Sequence, residues 1–291
     1  MGTAIPAVQA APRPLSQRIA RVFDRWLLPI YAVMAVLYLM LPVAVMILFS
    51  FNDPVGKFNL VWHEFSLAAW QNPLAPPGLG SAVLNSLIVA FLATIFATIL
   101  GTLIALALVR HRFRGRSATN LLIFLPMSTP EIVLGSSLLT LFIATNQYAF
   151  VPEGTFYPLG LHTVLIAHIM FNISFVVVTV KARVEGFPRN LEEAGLDLYA
   201  NEWTVFWKVT FPLILPGILA AALLAFSLSI DDFVVTNFTA GQATTFPLWI
   251  YGAQKTGVPV QANVIGSMIF LSAVGLVVIS VLLQRRSSAG R

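Results

Sequence analysis

Six stretches of this chain are predominantly apolar over the length a helix needs to cross a hydrocarbon core of about 30 Å, roughly 20 residues. They run 27–51, 81–109, 119–144, 162–180, 211–229 and 263–283. An open sheet would leave backbone groups unpaired in lipid, whereas a helix satisfies them internally. The expectation is an all-α integral membrane protein with six transmembrane helices. Composition agrees, because 58% of the residues are hydrophobic and 10% are charged, against about 25% charged in soluble domains. The first run outlasts the apolar core of a signal peptide, about 7–15 residues, so it is expected to stay in the membrane. No cysteine is present, which excludes disulfides, thiol nucleophiles and thiolate zinc sites.

The basic residues order the topology. Of the 17 Lys and Arg, all except Lys57 and Lys255 fall in the N-terminal tail, the second and fourth connections and the C-terminus. The positive-inside rule then places both termini in the cytoplasm. Residues 1–26 read as a flexible basic tail, 27–284 as one membrane domain and 285–291 as a second short tail. The run "RHRFRGR" at 110–116 reads as topogenic charge in contact with membrane lipid, not as a nucleic-acid surface. The opposite connections, 52–80 and 231–262, carry Trp62, Trp70, Trp249 and Tyr251 and suit the membrane interface.

Several motifs fail. Gly56-Lys57 lacks the first glycine of a phosphate-cradling loop, so the chain is not expected to hydrolyse ATP itself. "HEFSL" at 63–67 lacks the second histidine of a zinc-binding helix face, and no metal site is expected. His168 and Asn172 lie four apart and can share one helical side. They suit hydrogen bonds between helices or, alternatively, the lining of a polar pathway.

The stretch "NLEEAGLDLYANEW", 190–203, is acidic and amphipathic between two membrane-grade runs. Asn190 reads as an N-cap with Glu193 three residues on, a variant of the capping box. Leu191, Ala194, Gly195 and Leu198 fall on one face, with Glu193 and Asp197 on another. A second cap follows at Asn201, and Trp203, Phe206 and Trp207 lead to Pro212 and the next span. The pattern predicts a short cytoplasmic helix, a turn and a second helix between spans four and five.

From Glu193 to Pro212 the chain resembles the EAA loop of the inner-membrane permease subunits of bacterial ABC importers. The family pattern is EAA, three residues, G, nine residues, then I-x-L-P. Glu193, Ala194 and Pro212 match, and Val209 and Phe211 are conservative variants. Gly195 replaces the second Ala, and Tyr199 stands where the family has Gly. The resemblance implies that the loop, about 182–212, carries a coupling helix seated in a cleft of a cytoplasmic ATPase. Glu193, Ala194, Gly195, Asp197, Tyr199 and Pro212 are the expected coupling residues, with small residues at 194 and 195 admitting the partner's surface. The role of Glu193 stays open between capping and direct contact to the ATPase, and the two are compatible. For Tyr199, either the turn is rebuilt around Asn201 or the ring contacts the partner.

"LPMSTPEIVLGSSLL" at 125–139, "LAFSLSIDDFVVTNFTAG" at 224–241 and "FPLWIYGAQKTGVP" at 246–259 are similar to the PotC-like permeases of spermidine/putrescine importers. This implies the type I importer fold in the bacterial cytoplasmic (inner) membrane. It also implies a second homologous permease, two ATPase subunits that bind ATP and magnesium, and an extracytoplasmic binding protein. No cofactor is expected in this chain.

The residues themselves suit a cation path. Glu131 lies near the middle of the third run, where an ionisable group needs a wet or paired interior. Pro126 and Pro130 would kink or break that helix and free carbonyls beside it. Asp231 and Asp232 end the fifth run, and neighbouring helical residues point about 100° apart, so Asp231 is assigned to the path and Asp232 to structure or interface. Tyr251 adds an aromatic face for a cation. Lys255 would repel one, and is expected either to close a gate against an acid or to flank the membrane. Another solute, such as an amino-acid derivative or ferric ion, is the competing expectation. A self-sufficient secondary transporter or channel is the other, and it would have no need of a docking loop.

Overall fold

The computed structural model describes residues 15–145 and 156–289. The expected flexible tail over 1–14, with Arg13, and the last two residues, with Arg291, lie outside them. The described chain is helical apart from loops and an isolated antiparallel bridge between Asn52 and Phe65.

Four helical stretches are long and apolar enough to cross a membrane: Trp26–Phe49, Leu79–Arg110, Leu161–Glu185 and Glu202–Ile230. A further pair, Arg116–Ser128 and Glu131–Thr145, passes the same test together but is bent by 110°. The sixth expected run lies in a helix over Val260–Ala289, of which Val260–Gly275 is described as a shorter apolar helix.

By its contacts the chain forms two compact units where the sequence suggested one membrane domain. The first joins the two ends of the sequence. Helix α1 (Leu15–Phe49) and the short α2 (Ala68–Gln71) pack on α12 (Val260–Ala289). Helix α1 begins at Leu15, within the expected tail over 1–26, and α12 continues into the expected C-terminal tail as far as Ala289. Gly266 lets α12 approach α1, since a Cβ there would lie 2.8 Å from Met46 Sδ. The loop after α1 is tied by Asn52, which donates to Asn59 Oδ1 (2.6 Å) and Val61 O (2.9 Å) and accepts from the His63 amide (2.8 Å).

The second unit, Leu74–Val258, contains the remaining elements. Helices α3 (Leu79–Arg110), α6 (Leu161–Glu185) and α9 (Phe211–Ile230) pack on one another. In lipid, helices associate through close packing and not through water exclusion, and small residues allow it. On α3, Ala93, Ala97, Gly101 and Ala105 recur every fourth residue and are buried. A Cβ at Gly101 would meet Val176 Cγ1 at 2.6 Å, so only glycine permits this α3–α6 distance. Around them α4 (Arg116–Ser128) packs on α6, while α10 (Val234–Thr239) packs on α5 (Glu131–Thr145) and α11 (Phe246–Ala253) on α3. Gly135 of α5 faces Phe238 of α10, where a Cβ would come within 2.7 Å of the ring.

Candidate substrate cavity and coupling loop

Two breaks in helices create the site. The first lies between α4 and α5, where Thr129 takes the extended conformation that a following proline demands (ψ 132). Thr129 still closes α4, through its amide (2.9 Å) and hydroxyl (2.7 Å) on Leu125 O. Glu131 then opens α5, in the first turn, where the positive end of the helix dipole favours a carboxylate. The second break follows Ile230, with Asp231 capping α9 and α10 starting at Val234.

Between the breaks is a cavity of about 510 Å³. Glu131, Asp231 and Asp232 line it together with Phe171, Phe175 and Phe233. The structure thus brings together three of the five path residues read from the sequence. Tyr251 and Lys255 are not among the lining. Tyr251 packs on Phe233 with ring centroids 4.8 Å apart, and Lys255 Nζ stands 5.9 Å over the Tyr251 ring. Lys255 pairs with no carboxylate among the described residues, so the expected acid partner of a gate is not found.

The two aspartates differ sharply. Asp232 Oδ2 accepts from the Thr236 amide (2.8 Å) and the Thr236 hydroxyl (2.7 Å), and Oδ1 accepts weakly from the Val235 amide (3.4 Å). It therefore caps α10. His168 of α6 completes the cluster, with Nε2 2.9 Å from Thr236 Oγ1 and 3.3 Å from Asp232 Oδ2, and Nδ1 2.6 Å from Ser229 Oγ. Because the Thr236 hydroxyl hydrogen is committed to Asp232, Thr236 Oγ1 accepts from His168 Nε2–H, and Nδ1 accepts from Ser229. A neutral imidazole satisfies the whole network. His168 therefore links α6 to α9 and α10, while Asn172, four residues on, is buried with no hydrogen-bond partner for its amide among the described residues. Asp231 is exposed to the cavity and has no such side-chain partners among the described residues.

On the loop after α6, the first short helix, α7, covers Asn190–Asp197 and the second, α8, covers Glu202–Val205. Asn190 is not its cap. The helix begins after Arg189, whose backbone is already helical and whose carbonyl accepts from the amides of Glu192 (3.0 Å) and Glu193 (3.1 Å). Glu193 therefore makes no capping box; it is exposed, with Oε1 3.5 Å from Arg189 Nε. Asn201 does cap α8, accepting from the Thr204 amide at 2.8 Å.

The apolar face read from the sequence is not the one that packs. Leu191, Ala194 and Leu198 are exposed, and within α7 only Glu192 and Gly195 turn toward the protein. Gly195 faces Val205 of the same chain, where a Cβ would lie 3.0 Å from Cγ2, so its small size serves packing within the chain. Glu192, which the sequence pattern did not single out, contacts Arg110 and Thr210. Asp197 is exposed, and Pro212 begins α9 in the first turn, where its missing amide is no loss.

Tyr199 takes φ 60, the left-handed conformation that its glycine counterpart would adopt freely. Its amide bonds Leu196 O (2.9 Å) and the Ala200 amide reaches Gly195 O (3.4 Å), the paired bonds of a Schellman C-cap. The turn is thus kept and not rebuilt, and the Tyr199 ring is fully exposed. Beyond α8 a π-helical turn, Phe206–Thr210, joins α9, and the rings of Trp203, Phe206, Trp207 and Phe211 pack around it.

Comparison with known proteins agrees with this geometry. The family described as "Binding-protein-dependent transport system inner membrane component" matches residues 97–289. The spermidine/putrescine transport system permease protein PotC of Haemophilus influenzae is 35% identical over 86% of this chain and 93% of its own. The putrescine transport system permease protein PotI of Escherichia coli K12 is 36% identical over 82% of this chain and 84% of its own. In fold, the chain is similar to a subunit of a bacterial ABC transporter that imports the acidic polysaccharide alginate. The TM-score is 0.58 at 19% identity, covering 95% of this chain and 99% of that one. The same transporter with a pentasaccharide-bound periplasmic protein gives 0.64 at 16% identity, covering 92% and 98%. The chain therefore belongs to the inner-membrane components of binding-protein-dependent transport systems, the multi-pass permease subunits of ABC importers.

Proposed function

We propose that this permease forms half of a translocation path for a polyamine such as spermidine or putrescine, with Glu131 and Asp231 as the carboxylates that meet the passing ammonium groups. One observation carries the proposal: the two carboxylates, from different helix breaks, line one cavity in which the third, Asp232, is engaged by its own helix. Carboxylates offer ammonium groups charge-assisted hydrogen bonds, and the Phe171, Phe175 and Phe233 side chains beside them suit a cation's alkyl stem. The printed functions of the PotC and PotI relatives favour the same solute class. Tyr251 and Lys255, one layer behind Phe233, act on the cavity wall and not on the solute.

In this reading a second homologous permease supplies the other half of the path, and an extracytoplasmic binding protein delivers the solute. Two ATPase subunits bind ATP and magnesium, and this chain holds no cofactor. Both termini and the α7 loop lie in the cytoplasm. The exposed face of α7, with Glu193, Ala194 and Asp197, and the strained Tyr199 ring form the docking surface for the ATPase. A left-handed non-glycine residue costs about 1–2 kcal/mol, and no contact within the described chain offsets it at Tyr199, which supports a contact outside the chain.

The test is uptake of labelled putrescine and spermidine by the complete importer in proteoliposomes. Glu131→Gln and Asp231→Asn should each lower uptake about tenfold or more, the loss of one charged hydrogen bond, with assembly intact. Undiminished uptake by both variants would remove these carboxylates from the path. Transport of a neutral or anionic solute by the same complex would favour the competing substrate reading.

A further inference from the structure

We infer that Glu192 is the joint through which movement of α7 reaches the membrane helices, a positioning role separate from that of its neighbour Glu193. The two residues are adjacent, yet the Glu193 side chain is 62% exposed and that of Glu192 is 16% exposed. A single oxygen of Glu192, Oε1, lies 3.1 Å from Arg110 Nη2 and accepts from Thr210 Oγ1 at 2.9 Å. Arg110 is the last residue of α3, and Thr210 is the last residue of the π-helical turn that leads into α9. One carboxylate oxygen on the docking helix therefore holds the ends of two membrane helices at once.

The surroundings make this link stiff. Arg110 is only 17% exposed, its guanidinium stands 5.4 Å over the Phe187 ring, and its Nε has no hydrogen-bond acceptor among the described residues. Its Nη2 meets Glu192 within ion-pair distance but without a directed hydrogen bond, so charge holds the contact. Away from bulk water that charge is weakly screened. Gly195, one turn further along α7, packs on Val205 and keeps the same face of the helix against the protein. Thr210 adds a point of compliance, because a π-helical turn is a local widening of the helix that often marks functional sites. From there α9 runs directly to Asp231 at the cavity. A displacement of α7 is thus delivered to the ends of α3 and α9, and along α9 to the site.

This inference rests on the reading of α7 as the ATPase-docking segment, and two separate measurements distinguish the failures. The first is capture of the ATPase subunit by solubilised permease, which Glu193→Gln and Tyr199→Gly should weaken. Capture at the wild-type level in both would defeat the docking reading. The second is the amount of labelled putrescine taken up per ATP hydrolysed by the complete importer in proteoliposomes. Glu192→Gln and Arg110→Gln should each lower that ratio at least about fivefold with ATPase capture unchanged, and the double variant should be no worse than either, since one contact is lost in all three. Exchanging the charges, Glu192→Arg with Arg110→Glu, should recover at least half of the ratio. A wild-type ratio in the single variants, additive losses in the double variant, or no recovery on exchange would overturn the joint. Should Glu192→Gln fail to assemble, Thr210→Val removes one of the two contacts and keeps the ion pair. A partial fall in the ratio then supports the joint, and a wild-type ratio overturns it.

Discussion

The chain contains two adjacent acidic pairs, Asp231-Asp232 at the cavity and Glu192-Glu193 on the coupling loop, and each divides its labour in the opposite order. At the cavity the first residue is free and the second is engaged, by the α10 amides, Thr236 and His168. On the loop the first is engaged, by Arg110 and Thr210, and the second is exposed. Neighbouring positions on α7 point about 100° apart, and Asp231 closes α9 while Asp232 leads into α10, so each pair supplies one group for the fold and one for an outside partner. Which is which depends on what packs behind the helix. The pairs also differ in kind: the engaged aspartate anchors a network of buried groups, whereas the engaged glutamate ties together three segments, α7, the end of α3 and the turn into α9.

The contrast is broken most severely at Asp232. Its replacement by alanine leaves the α10 amides and the Thr236 hydroxyl without their acceptor, at a cost of about 3 kcal/mol or more. The expected outcome is a large fall in the thermal unfolding temperature of the detergent-solubilised protein, where Asp231→Ala leaves it nearly unchanged. Equal stability losses for the two aspartates would erase the distinction between them.

A smaller effect is expected at the caps of the loop. Asn201→Ala should cost about 1 kcal/mol, because the Thr204 amide loses its acceptor, while Asn190→Ala should change stability by no more than about half as much. Chemical denaturation of the solubilised permease checks both, and equal effects would return Asn190 to the role of a cap. Finest of all is Tyr199→Gly. Removing the left-handed strain should stabilise the isolated permease by about 1 kcal/mol while reducing ATPase capture. Capture that improves along with stability would show that the ring has no partner.

Four of the expected spans and the first helix break were legible in the sequence because they depend on local quantities. Apolar length decides whether a helix can cross lipid, and Thr129-Pro130 cannot continue α4 whatever surrounds it. Asn201 was legible for the same reason, since its acceptor is three residues away. The left-handed turn at Tyr199 was suggested by the glycine that the resembled family has there, with a rebuilt turn as the alternative, and the structure keeps it. What was hidden depends on contacts distant in sequence. Nothing local distinguishes Glu192 from Glu193 until Arg110 and Thr210 are in place. On α7 the Glu192 carboxylate turns inward because the Arg110 cation lies there, and Leu191 and Leu198 remain outside. Tyr251 and Lys255 looked like path residues by composition, but Phe233 stands between Tyr251 and the cavity. An acidic residue close after Pro188 and Arg189 in such a loop carries no signal by itself; a basic residue at the end of a preceding span, such as Arg110, is the clue that an inward-facing partner is needed.

The most direct measurement of the account is putrescine uptake by proteoliposomes containing the permease pair, with and without the ATPase subunits and with ATP supplied on the ATPase side. The account predicts uptake that requires the ATPase and ATP and that falls about tenfold in Asp231→Asn while the complex stays assembled. Uptake by the permease in the absence of the ATPase, or wild-type uptake through Asp231→Asn and Glu131→Gln, would contradict it.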